Sequence, residues 1–527
     1  DCRGAIRHIH LAVGRDPSTS MTVSFSSIDA FHEKLYGGVL IGTSPDKFDR
    51  VVNERNPSWY TAPQPTHLGG NYTSPYQHHV EITDLEPRTT YYYQPIVRRR
   101  PKAFKELEEI LKSNDKQSEQ LIASQINQQD KETSKGDADA SRKLYNPLTK
   151  QDLQSEIDLY HSYLRYDQRK RRLAPPPYDS TKCQCPDPLQ IRTFQTAAKP
   201  GHGQVKFAIV GDIGQFEHSE ETWDHLRHHS DGISAVILAG DLAYTAYDHR
   251  RWDTFMDFFD DYPLIDRIPM MITPGNHDID KSEHGTELFL AFENRFRMPH
   301  IKSPKLGFFD GPDGSLNMDR PPYPLPYEWG NAFYSYLYGP THQIFLSSYS
   351  AMEPGSPQYE WFKHELKTVD RKRTPWLIVT YHVPIYNTFR VHQHDTQMIA
   401  ARKHIEPLLV KHKVNLVFNG HIHAYLRTTN VAKQKKHKDG PIHIVMGAGG
   451  RNADAAFLAD EPEDWVEMRD GTIYGYGILE ICNNTHARWD WVHTGKKSDH
   501  NVVFGEDVVL PPGGVDHTFI QNTYFTK

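Results

Sequence analysis

Side chains that can bind metal ions follow each of five apolar runs between residues 205 and 423. The five segments are Gly211-Asp212-Ile213-Gly214, Gly240-Asp241-Leu242-Ala243-Tyr244, Pro274-Gly275-Asn276-His277-Asp278, the single residue His382, and Gly420-His421-Ile422-His423. Aspartate, asparagine, histidine and tyrosine supply the oxygen and nitrogen donors that hard and borderline cations prefer. The neighbouring glycines let the backbone turn sharply and approach an ion or a phosphate closely. These residue types therefore predict a metal centre.

The apolar runs that precede these segments predict the strands of a buried, largely parallel sheet. They are residues 205–210, 235–239, 269–273, 376–380 and 414–418, and helical segments follow most of them. Unbroken apolar runs of this kind are typical of parallel strands covered on both faces. Ligands of such sheets bind beyond the carboxyl ends of the strands, which is where the five segments fall. Later runs at 442–446, 474–481 and 487–492 predict a second sheet that closes an α/β sandwich.

Each candidate ligand taken alone has an ordinary structural explanation. Asp212 or Asp241 could cap a helix or a turn, and Asn276 could belong to a turn. His382 could be a hydrogen-bonded core histidine, and Tyr244 could be a packing residue. Donor residues at five successive strand ends favour a functional site, because a sheet without function has no reason to gather them.

The charges of the donors indicate which ions the centre holds. Two carboxylates and a phenolate together would offer negative charge to two adjacent cations. A phenol ionises near pH 10 in water, so only a strongly acidic cation keeps Tyr244 as a ligand in acid. We therefore predict Fe(III) beside one divalent ion, with visible absorbance from the iron–tyrosine bond. The alternative is two divalent ions with Tyr244 merely nearby.

The five segments together resemble the signature of the metallophosphoesterase, or calcineurin-like phosphoesterase, superfamily in its purple acid phosphatase form. Other branches of the superfamily usually carry Asp-x-His in the first segment, whereas this chain has Gly214 in place of that histidine and offers Tyr244 instead. The ferric ligands implied by the resemblance are Asp212, Asp241, Tyr244 and His423. The implied ligands of the divalent ion, which is Zn, Mn or Fe, are the bridging Asp241 with Asn276, His382 and His421.

The resemblance also assigns the residues that contact substrate. His277 matches the phosphate-contacting histidine of the family. His392, ten residues after His382, matches the proton donor to the leaving group. His394 competes for that role, because a short register slip in the loop would exchange the two histidines. Asn276 is expected to contact substrate as well as metal.

The reaction implied by the resemblance is hydrolysis of phosphate monoesters by attack of a metal-bound hydroxide at an Fe(III)–M(II) centre. His277 and His392 would stabilise the phosphoryl charge and protonate the leaving oxygen, which protonated histidines do best below about pH 6.5. One alternative is a phosphodiesterase or nucleotide pyrophosphatase on the same scaffold. Another, from a different class, is a non-catalytic metal-containing surface binding protein.

Composition narrows the expected partners. The 527 residues include 60 Lys and Arg against 67 Asp and Glu, a net charge of −7 that argues against nucleic-acid binding by overall positive charge. No apolar run approaches the roughly 20 residues that a membrane helix needs, so no membrane association is expected. The 31 histidines would reverse the sign of the net charge if all were protonated. The expected partner is a phosphorylated small molecule, and the chain is expected to be a monomer or a homodimer.

Residues 1–200 predict an all-β domain, a fibronectin III-like sandwich. Short β-branched or aromatic runs lie at 6–13, 21–26, 38–42, 78–82, 90–97 and 189–197, separated by turn residues. A charged stretch with helical periodicity at about 98–188 indicates an insertion between the last two strands. Residues 201–527 form the predicted metallophosphoesterase domain with a C-terminal tail. Large plant-like purple acid phosphatases likewise begin with a fibronectin-like domain.

The first residue, two sequons and the cysteines favour a secreted protein, or a vacuolar or lysosomal one. The sequence begins at Asp1, which suggests a removed signal peptide. Asn71 and Asn483 each start a glycosylation sequon. The four cysteines are Cys2, Cys183, Cys185 and Cys482. We expect a disulfide from Cys2 to Cys183 or Cys185, since a Cys183–Cys185 ring is too tight. Four reduced buried thiols are the alternative.

Overall fold

The computed structural model describes residues 6–27, 35–54, 57–64, 70–99, 190–280, 288–299, 321–451, 453, 455–496 and 516–525. Cys2, Cys183, Cys185 and almost all of the predicted 98–188 insertion lie outside the described residues. Within these ranges, none of the helices combines the length and the apolar composition that a membrane crossing requires.

The N-terminal part of the described chain consists of β-strands joined by turns. They are β1 (Ile6–Val13), β2 (Met21–Ser27), β3 (Leu35–Gly42), β4 (Arg50–Asn53), β5 (Thr61–Pro63), β6 (Asn71–Thr73), β7 (Tyr76–Ile82), β8 (Thr90–Arg99) and β9 (Arg192–Gln195). The predicted runs correspond to β1, β2, β3, β7, β8 and β9, with ends that shift by up to three residues. The short strands β4, β5 and β6 were not predicted, because too few apolar residues mark them.

These strands form the predicted sandwich. One sheet has the order β1-β2-β7 and the other the order β4-β3-β8-β9, while β5 and β6 form a separate hairpin. Leu11, Val23 and Val80 of the first sheet share a buried core with Val39 and Tyr93 of the second. Strands β8 and β9 are antiparallel neighbours, so the long segment between them connects adjacent strands of one sheet. The sandwich prediction is confirmed.

The rest of the described chain contains both strands and helices. The strands are β10 (Val205–Val210), β11 (Ala235–Leu238), β12 (Met270–Ile272), β13 (Tyr334–Tyr338), β14 (Thr341–Phe345), β15 (Trp376–Thr380), β16 (Leu416–Asn419), β17 (Tyr425–Ala432), β18 (Lys435–Lys436), β19 (Ile442–Met446), β20 (Val466–Asp470), β21 (Ile473–Ile481), β22 (His486–Lys496) and β23 (Asp516–Gln521). The helices are α1 (Glu217–His228), α2 (Arg250–Asp261), α3 (Leu290–Arg295), α4 (Pro357–Thr368), α5 (Thr396–Ala400) and α6 (Glu406–Lys411), with a π-helical turn, Ala401–Ile405, between the last two.

Two mixed sheets pack face to face in this part of the chain. The first has the order β12-β11-β10-β21-β22-β23, and the second the order β13-β14-β15-β16-β19-β17-β18 with β20 beside β17. The rings of Phe418 on β16 and Trp489 on β22 lie 5.5 Å apart across the interface. An α/β sandwich of two sheets is therefore confirmed.

The predicted assignment of strands to the two sheets is wrong. The five runs that precede the candidate ligands do not share one sheet, since β10, β11 and β12 lie in the first sheet and β15 and β16 in the second. The later run β19 joins β16 in parallel, whereas β21 and β22 extend the first sheet in antiparallel orientation. All five runs are buried along their length except Lys206. A fully apolar strand carries no pattern that assigns it to one buried sheet rather than the other.

Helix α2 shows how the layers outside the sheets are attached. Trp252, Phe255, Met256 and Phe259 recur at helical spacing and are all buried, so one face of α2 packs on the core. The N-terminal sandwich contacts the same helix. The backbone N–H of His8 on β1 donates to Asp260 Oδ1 on α2 over 3.0 Å. The sandwich is thus fastened to the element that follows the second ligand segment.

Candidate metal centre

The candidate ligands lie where the carboxyl ends of the two sheets meet. The backbone N–H of Gly211 donates to Met446 O over 2.9 Å, and that of Gly420 donates to His382 O over 2.9 Å. A Cβ atom on Gly211 would lie 3.1 Å from the Cα of Gly420, and one on Gly420 would lie 2.4 Å from Asp212 Oδ2. Gly420 is therefore required, because a side chain there would collide with Asp212, while Gly211 fits closely against Gly420 of the other sheet.

Several candidate ligands adopt left-handed backbone conformations. The φ angles are 54° at Asp212, 54° at Asp241, 48° at Tyr244 and 69° at His421. Each costs roughly 1–3 kcal/mol in a residue other than glycine, and such residues cluster at functional sites. The strain is offset by backbone hydrogen bonds to the ligand side chains. The N–H of His277 donates to Asp241 Oδ1 and that of His421 donates to Asp212 Oδ2, each over 2.8 Å.

One group of donors surrounds a first point in the centre. Single donor atoms of Asp241, His382 and His421 all lie within 4.8 Å of one another, and the three residues are buried. Asn276 Oδ1 lies 3.2 Å from His382 Nε2 and 3.0 Å from His421 Nδ1. The His382 Nδ1–H donates to Ala239 O over 2.8 Å, which leaves Nε2 facing the other donors.

A second group of donors lies beside the first. Donor atoms of Asp212, Asp241 and His423 also lie within 4.8 Å of one another. The Tyr244 hydroxyl oxygen lies 3.1 Å from Asp212 Oδ1, 3.3 Å from Asp241 Oδ2 and 3.1 Å from His423 Nε2. Asp241 belongs to both groups. The arrangement can therefore hold two adjacent cations that share the Asp241 carboxylate.

The electrostatics of the centre favour bound cations. Burial raises the pKa of the Asp212 carboxyl, while the charges of His382 and His277 overcome burial and hold the pKa of Asp241 below its ordinary value. Burial disfavours a charged His382, yet the two carboxylates raise its pKa to about 9. The two carboxylates thus stabilise positive charge on a buried histidine. The carboxylate, amide and imidazole donors of the centre suit iron, zinc or manganese.

Without a bound cation, the Tyr244 side chain is a neutral phenol. Burial, followed by the charges of Asp212 and Asp241, holds the pKa of the Tyr244 hydroxyl well above its ordinary value. Only a strongly acidic cation at the second group would displace its proton. The residues present therefore fit a ferric ion at the second group and a divalent ion at the first.

The histidines expected to contact substrate lie at the mouth of the site, which is formed by the partly exposed His277, His392 and His423. The His277 ring lies 4.4 Å from the Tyr244 ring. The His392 ring lies 4.1 Å from the His421 ring, and its side chain is 29% exposed. His394 is exposed, and none of its contacts within the described residues reaches the centre. The geometry brings together all the predicted ligands with His277 and His392, but not His394.

Three residues hold the ligands in place, and the sequence had pointed to only one of them. Asp395 Oδ2 lies 2.7 Å from His421 Nε2 and 2.9 Å from His392 Nδ1. The Tyr349 hydroxyl donates to Asn276 Oδ1 over 3.1 Å. Asp278 accepts hydrogen bonds from the backbone N–H groups of Leu242 and Gly275. Asp278 is the last residue of the third predicted segment, whereas no sequence signal marks Tyr349 or Asp395.

Three family models match successive parts of the chain. The model described as Calcineurin-like phosphoesterase matches residues 205–425. The model described as Purple acid Phosphatase, N-terminal domain matches residues 6–103, and that described as Iron/zinc purple acid phosphatase-like protein C matches residues 440–503.

The chain is also similar to curated plant proteins. It is 36% identical over 299 residues to purple acid phosphatase 18 of Arabidopsis thaliana, an alignment covering 56% of this chain and 62% of that protein. It is 34% identical over 328 residues to probable purple acid phosphatase 20 of the same plant, covering 62% and 69%. It is 31% identical over 321 residues to the Arabidopsis Fe(3+)-Zn(2+) purple acid phosphatase 12, covering 58% and 62%. The match to the first of these relatives spans less than two thirds of its length.

A solved structure shares the fold. The purple acid phosphatase PPD1 from yellow lupin (Lupinus luteus) seeds superposes with a TM-score of 0.62 over 93% of this chain and 72% of that chain, at 18% identity. At this identity the likeness concerns the arrangement of strands and helices alone.

Proposed function

Because this chain belongs to the purple acid phosphatase family, we propose that it is an acid phosphatase that hydrolyses phosphate monoesters at a dinuclear iron-containing centre. The observation that carries the proposal is the pair of donor groups that share Asp241, with the Tyr244 hydroxyl in contact with the second group. The phosphodiesterase and surface-protein alternatives have no comparable support.

The proposed ligands follow the two donor groups. Asp212, Asp241, Tyr244 and His423 hold Fe(III), and Asp241, Asn276, His382 and His421 hold a divalent ion. A relative is named as an Fe(3+)-Zn(2+) enzyme, which supports zinc as the divalent ion. When bound, such a pair of ions polarises phosphoryl oxygens and makes water acidic enough to supply a nucleophile.

His277 and His392 perform the remaining chemistry in this proposal. The backbone of His277 is fixed by its hydrogen bond to Asp241, and its ring packs against Tyr244 at the mouth. A protonated His277 there donates a hydrogen bond to a phosphoryl oxygen as negative charge develops. Asp395 accepts from His392 Nδ1 over 2.9 Å and so orients the ring with Nε2 free to act on substrate. His392 Nε2 then delivers a proton to the departing alcohol oxygen.

We further propose that the chain is secreted and glycosylated at Asn71 and Asn483. Both asparagines are exposed. Asn483 Oδ1 accepts from the Thr485 hydroxyl over 2.8 Å, so the sequon already adopts a compact turn on the surface. The sandwich domain would comprise residues 1–200 and the catalytic domain residues 201–527. The pairing of Cys2 with Cys183 or Cys185 stays a prediction.

The test compares a phosphate monoester with a diester on the purified, metal-loaded chain at pH 5. We expect hydrolysis of phenyl phosphate, with bis-phenyl phosphate cleaved far more slowly. His382→Ala removes a ligand and should lower kcat/KM for phenyl phosphate at least about 100-fold. The exposed His228→Ala serves as a matched control. Preferential cleavage of the diester, or full activity of His382→Ala, would contradict the proposal.

A further inference from the structure

Arg451 lies beside the metal centre but belongs to neither donor group. It follows β19, and its backbone N–H donates to Asp212 O over 3.1 Å. Its guanidinium carbon lies 4.9 Å from the centre of the Phe216 ring and 5.7 Å from the centre of the Tyr244 ring. Tyr244 therefore contacts both this cation, through its ring, and the carboxylates of the centre, through its hydroxyl.

The position of Arg451 is fixed by the same backbone that places Asp212. The Gly449 N–H donates to Gly211 O over 3.1 Å. A Cβ on Gly450 would lie 2.3 Å from both Ile213 O and the Ser219 hydroxyl, so the loop packs tightly there. Gly214 has a φ of 61°, and a Cβ on it would lie 2.3 Å from the Phe216 ring. The position of the Phe216 ring, on which the Arg451 guanidinium lies, thus depends on Gly214.

A second arginine, Arg251 in the first turn of α2, lies beside the segments that carry Phe216 and Tyr244. The Gln215 side-chain amide donates to both Arg251 O and Ala243 O, over 2.9 Å and 2.7 Å. Burial lowers the pKa of Arg251, the charge of Asp248 opposes this shift, and repulsion by Arg451 lowers the pKa further. Both oxygens of Asp248 are bonded by Arg250, at 2.6 Å and 3.0 Å. Within the described ranges, neither Arg251 nor Arg451 forms an ion pair with a carboxylate, and both are partly exposed. A bound anion would reduce the repulsion between the Arg251 and Arg451 charges.

We propose that Arg451 and Arg251 form a subsite for a second phosphoryl group of the substrate, so that the preferred substrates are phosphate monoesters bearing another phosphoryl group. This inference rests on the proposed phosphatase function of the adjoining centre. Guanidinium groups bind phosphate oxygens in pairs of parallel hydrogen bonds. The Phe216 ring holds the Arg451 group through a cation–π contact and leaves its N–H groups available. The second phosphoryl group can come from a bisphosphorylated sugar or from a nucleoside bisphosphate.

The experiment measures substrate preference in the metal-loaded full chain. Fructose 1,6-bisphosphate is compared with fructose 6-phosphate, and adenosine 3′,5′-bisphosphate with AMP. For wild type we expect the higher kcat/KM on the member with two phosphoryl groups in at least one pair. Arg451→Gln should lower kcat/KM for that member at least about tenfold more than for its partner, mainly through KM, because charged hydrogen bonds to the second group are lost. The pair that shows the loss identifies the source of the second group.

Two further variants separate this subsite from other effects. Arg451→Lys keeps the charge and should retain part of the preference. Arg390→Gln removes an exposed arginine two residues before His392. The Nε–H of Arg390 donates to Phe457 O over 3.0 Å. This variant should affect both members of each pair equally. Equal losses on both members in Arg451→Gln and Arg251→Gln would overturn the subsite. Failure of wild type to hydrolyse any of the four compounds or phenyl phosphate would instead overturn the proposed function.

Discussion

Two histidines two residues apart in one loop have different surroundings. His392 donates from Nδ1 to Asp395 and lies beside His421, whereas His394 is exposed. The Asp395 carboxylate also accepts from His421. A single acidic side chain therefore orients one proposed metal ligand and the proposed proton donor together.

His392→Ala should slow hydrolysis more when the departing alcohol is a poor leaving group. Proton donation contributes about 100-fold or more to such reactions and contributes little when the leaving group is already acidic. The measurement compares kcat for glycerol phosphate and nitrophenyl phosphate. His394→Ala is the matched control and should change neither rate by more than about twofold. A larger loss in His394→Ala than in His392→Ala would reverse the assignment.

The residue scale also shows what sequence can and cannot reveal. The proposed ligands were recognised because each directly follows an apolar run and is one of the few polar types that bind metals. Tyr349 and Asp395 were missed because their contacts with Asn276 and His421 join loops far apart in the sequence. Nothing in the local pattern of a loop distinguishes such a residue from a solvated neighbour.

At the scale of elements, the centre depends on the close approach of two sheets. Gly211 follows β10 in the first sheet and Gly420 follows β16 in the second. A Cβ on Gly211 would lie 3.1 Å from the Cα of Gly420, and one on Gly420 would lie 2.4 Å from Asp212 Oδ2. Sequence patterns located the carboxyl ends of these strands to within one or two residues. They did not show that the strands belong to different sheets, because strands buried on both faces look alike.

Gly420→Ala should weaken metal binding without unfolding the chain. The added Cβ would lie 2.4 Å from Asp212 Oδ2 and 2.7 Å from Ala239 O, so the Asp212 carboxylate has to move. We expect at least about a tenfold loss of metal affinity, as displaced ligands typically show. Metal content after dialysis against a weak chelator measures the loss.

Gly232→Ala is the control for this substitution. Gly232 has a φ of 74°, yet an added Cβ would meet no heavy atom within 4 Å. It should cost about 1 kcal/mol of stability through backbone strain and leave metal content intact. Equal metal loss in both variants would show that the loss does not come from the contact between an added Cβ at Gly420 and the Asp212 carboxylate.

Across the whole molecule, buried histidines and buried acids oppose each other as pH changes. Burial lowers the pKa of His10 to about 4 and that of His443 to about 3. Both are neutral when folded and protonated when unfolded below pH 6.5, so they reduce stability as pH falls. Burial raises the pKa of Asp280 and of Glu293 to about 7. These acids bind more protons when folded, so their stabilising effect is lost as pH rises from about 4 to 7.

His443→Leu should make the fold less sensitive to acid. His443 is fully buried, and neither ring nitrogen has a hydrogen-bond partner within the described ranges. When the pH is lowered from 7 to 5, protonation of His443 in the unfolded state should lower the unfolding free energy of wild type by about 2 kcal/mol. The leucine variant should not show this loss. Urea unfolding at the two pH values measures the difference.

The Glu293→Gln substitution should change the pH dependence of stability in the opposite direction to His443→Leu. Glu293 accepts hydrogen bonds from the Tyr327 hydroxyl and the Asn331 N–H. Between about pH 4.5 and 7 this carboxyl is ionised in the unfolded state but stays protonated in the folded state. The unfolding free energy of wild type should therefore fall by about 2 kcal/mol from pH 5 to pH 7, and that of the variant should not. Identical pH dependence in wild type and both variants would contradict the assignment of these groups.

The central claim is that Tyr244 completes a ferric site next to a divalent ion held through Asp241. The most direct measurement is metal analysis together with the visible absorption spectrum of purified wild type and Tyr244→Phe. We predict about one iron and one further metal ion per wild-type chain, and a coloured band that disappears in Tyr244→Phe. An active wild-type protein that is colourless and free of iron, or a band unchanged in the variant, would contradict the account.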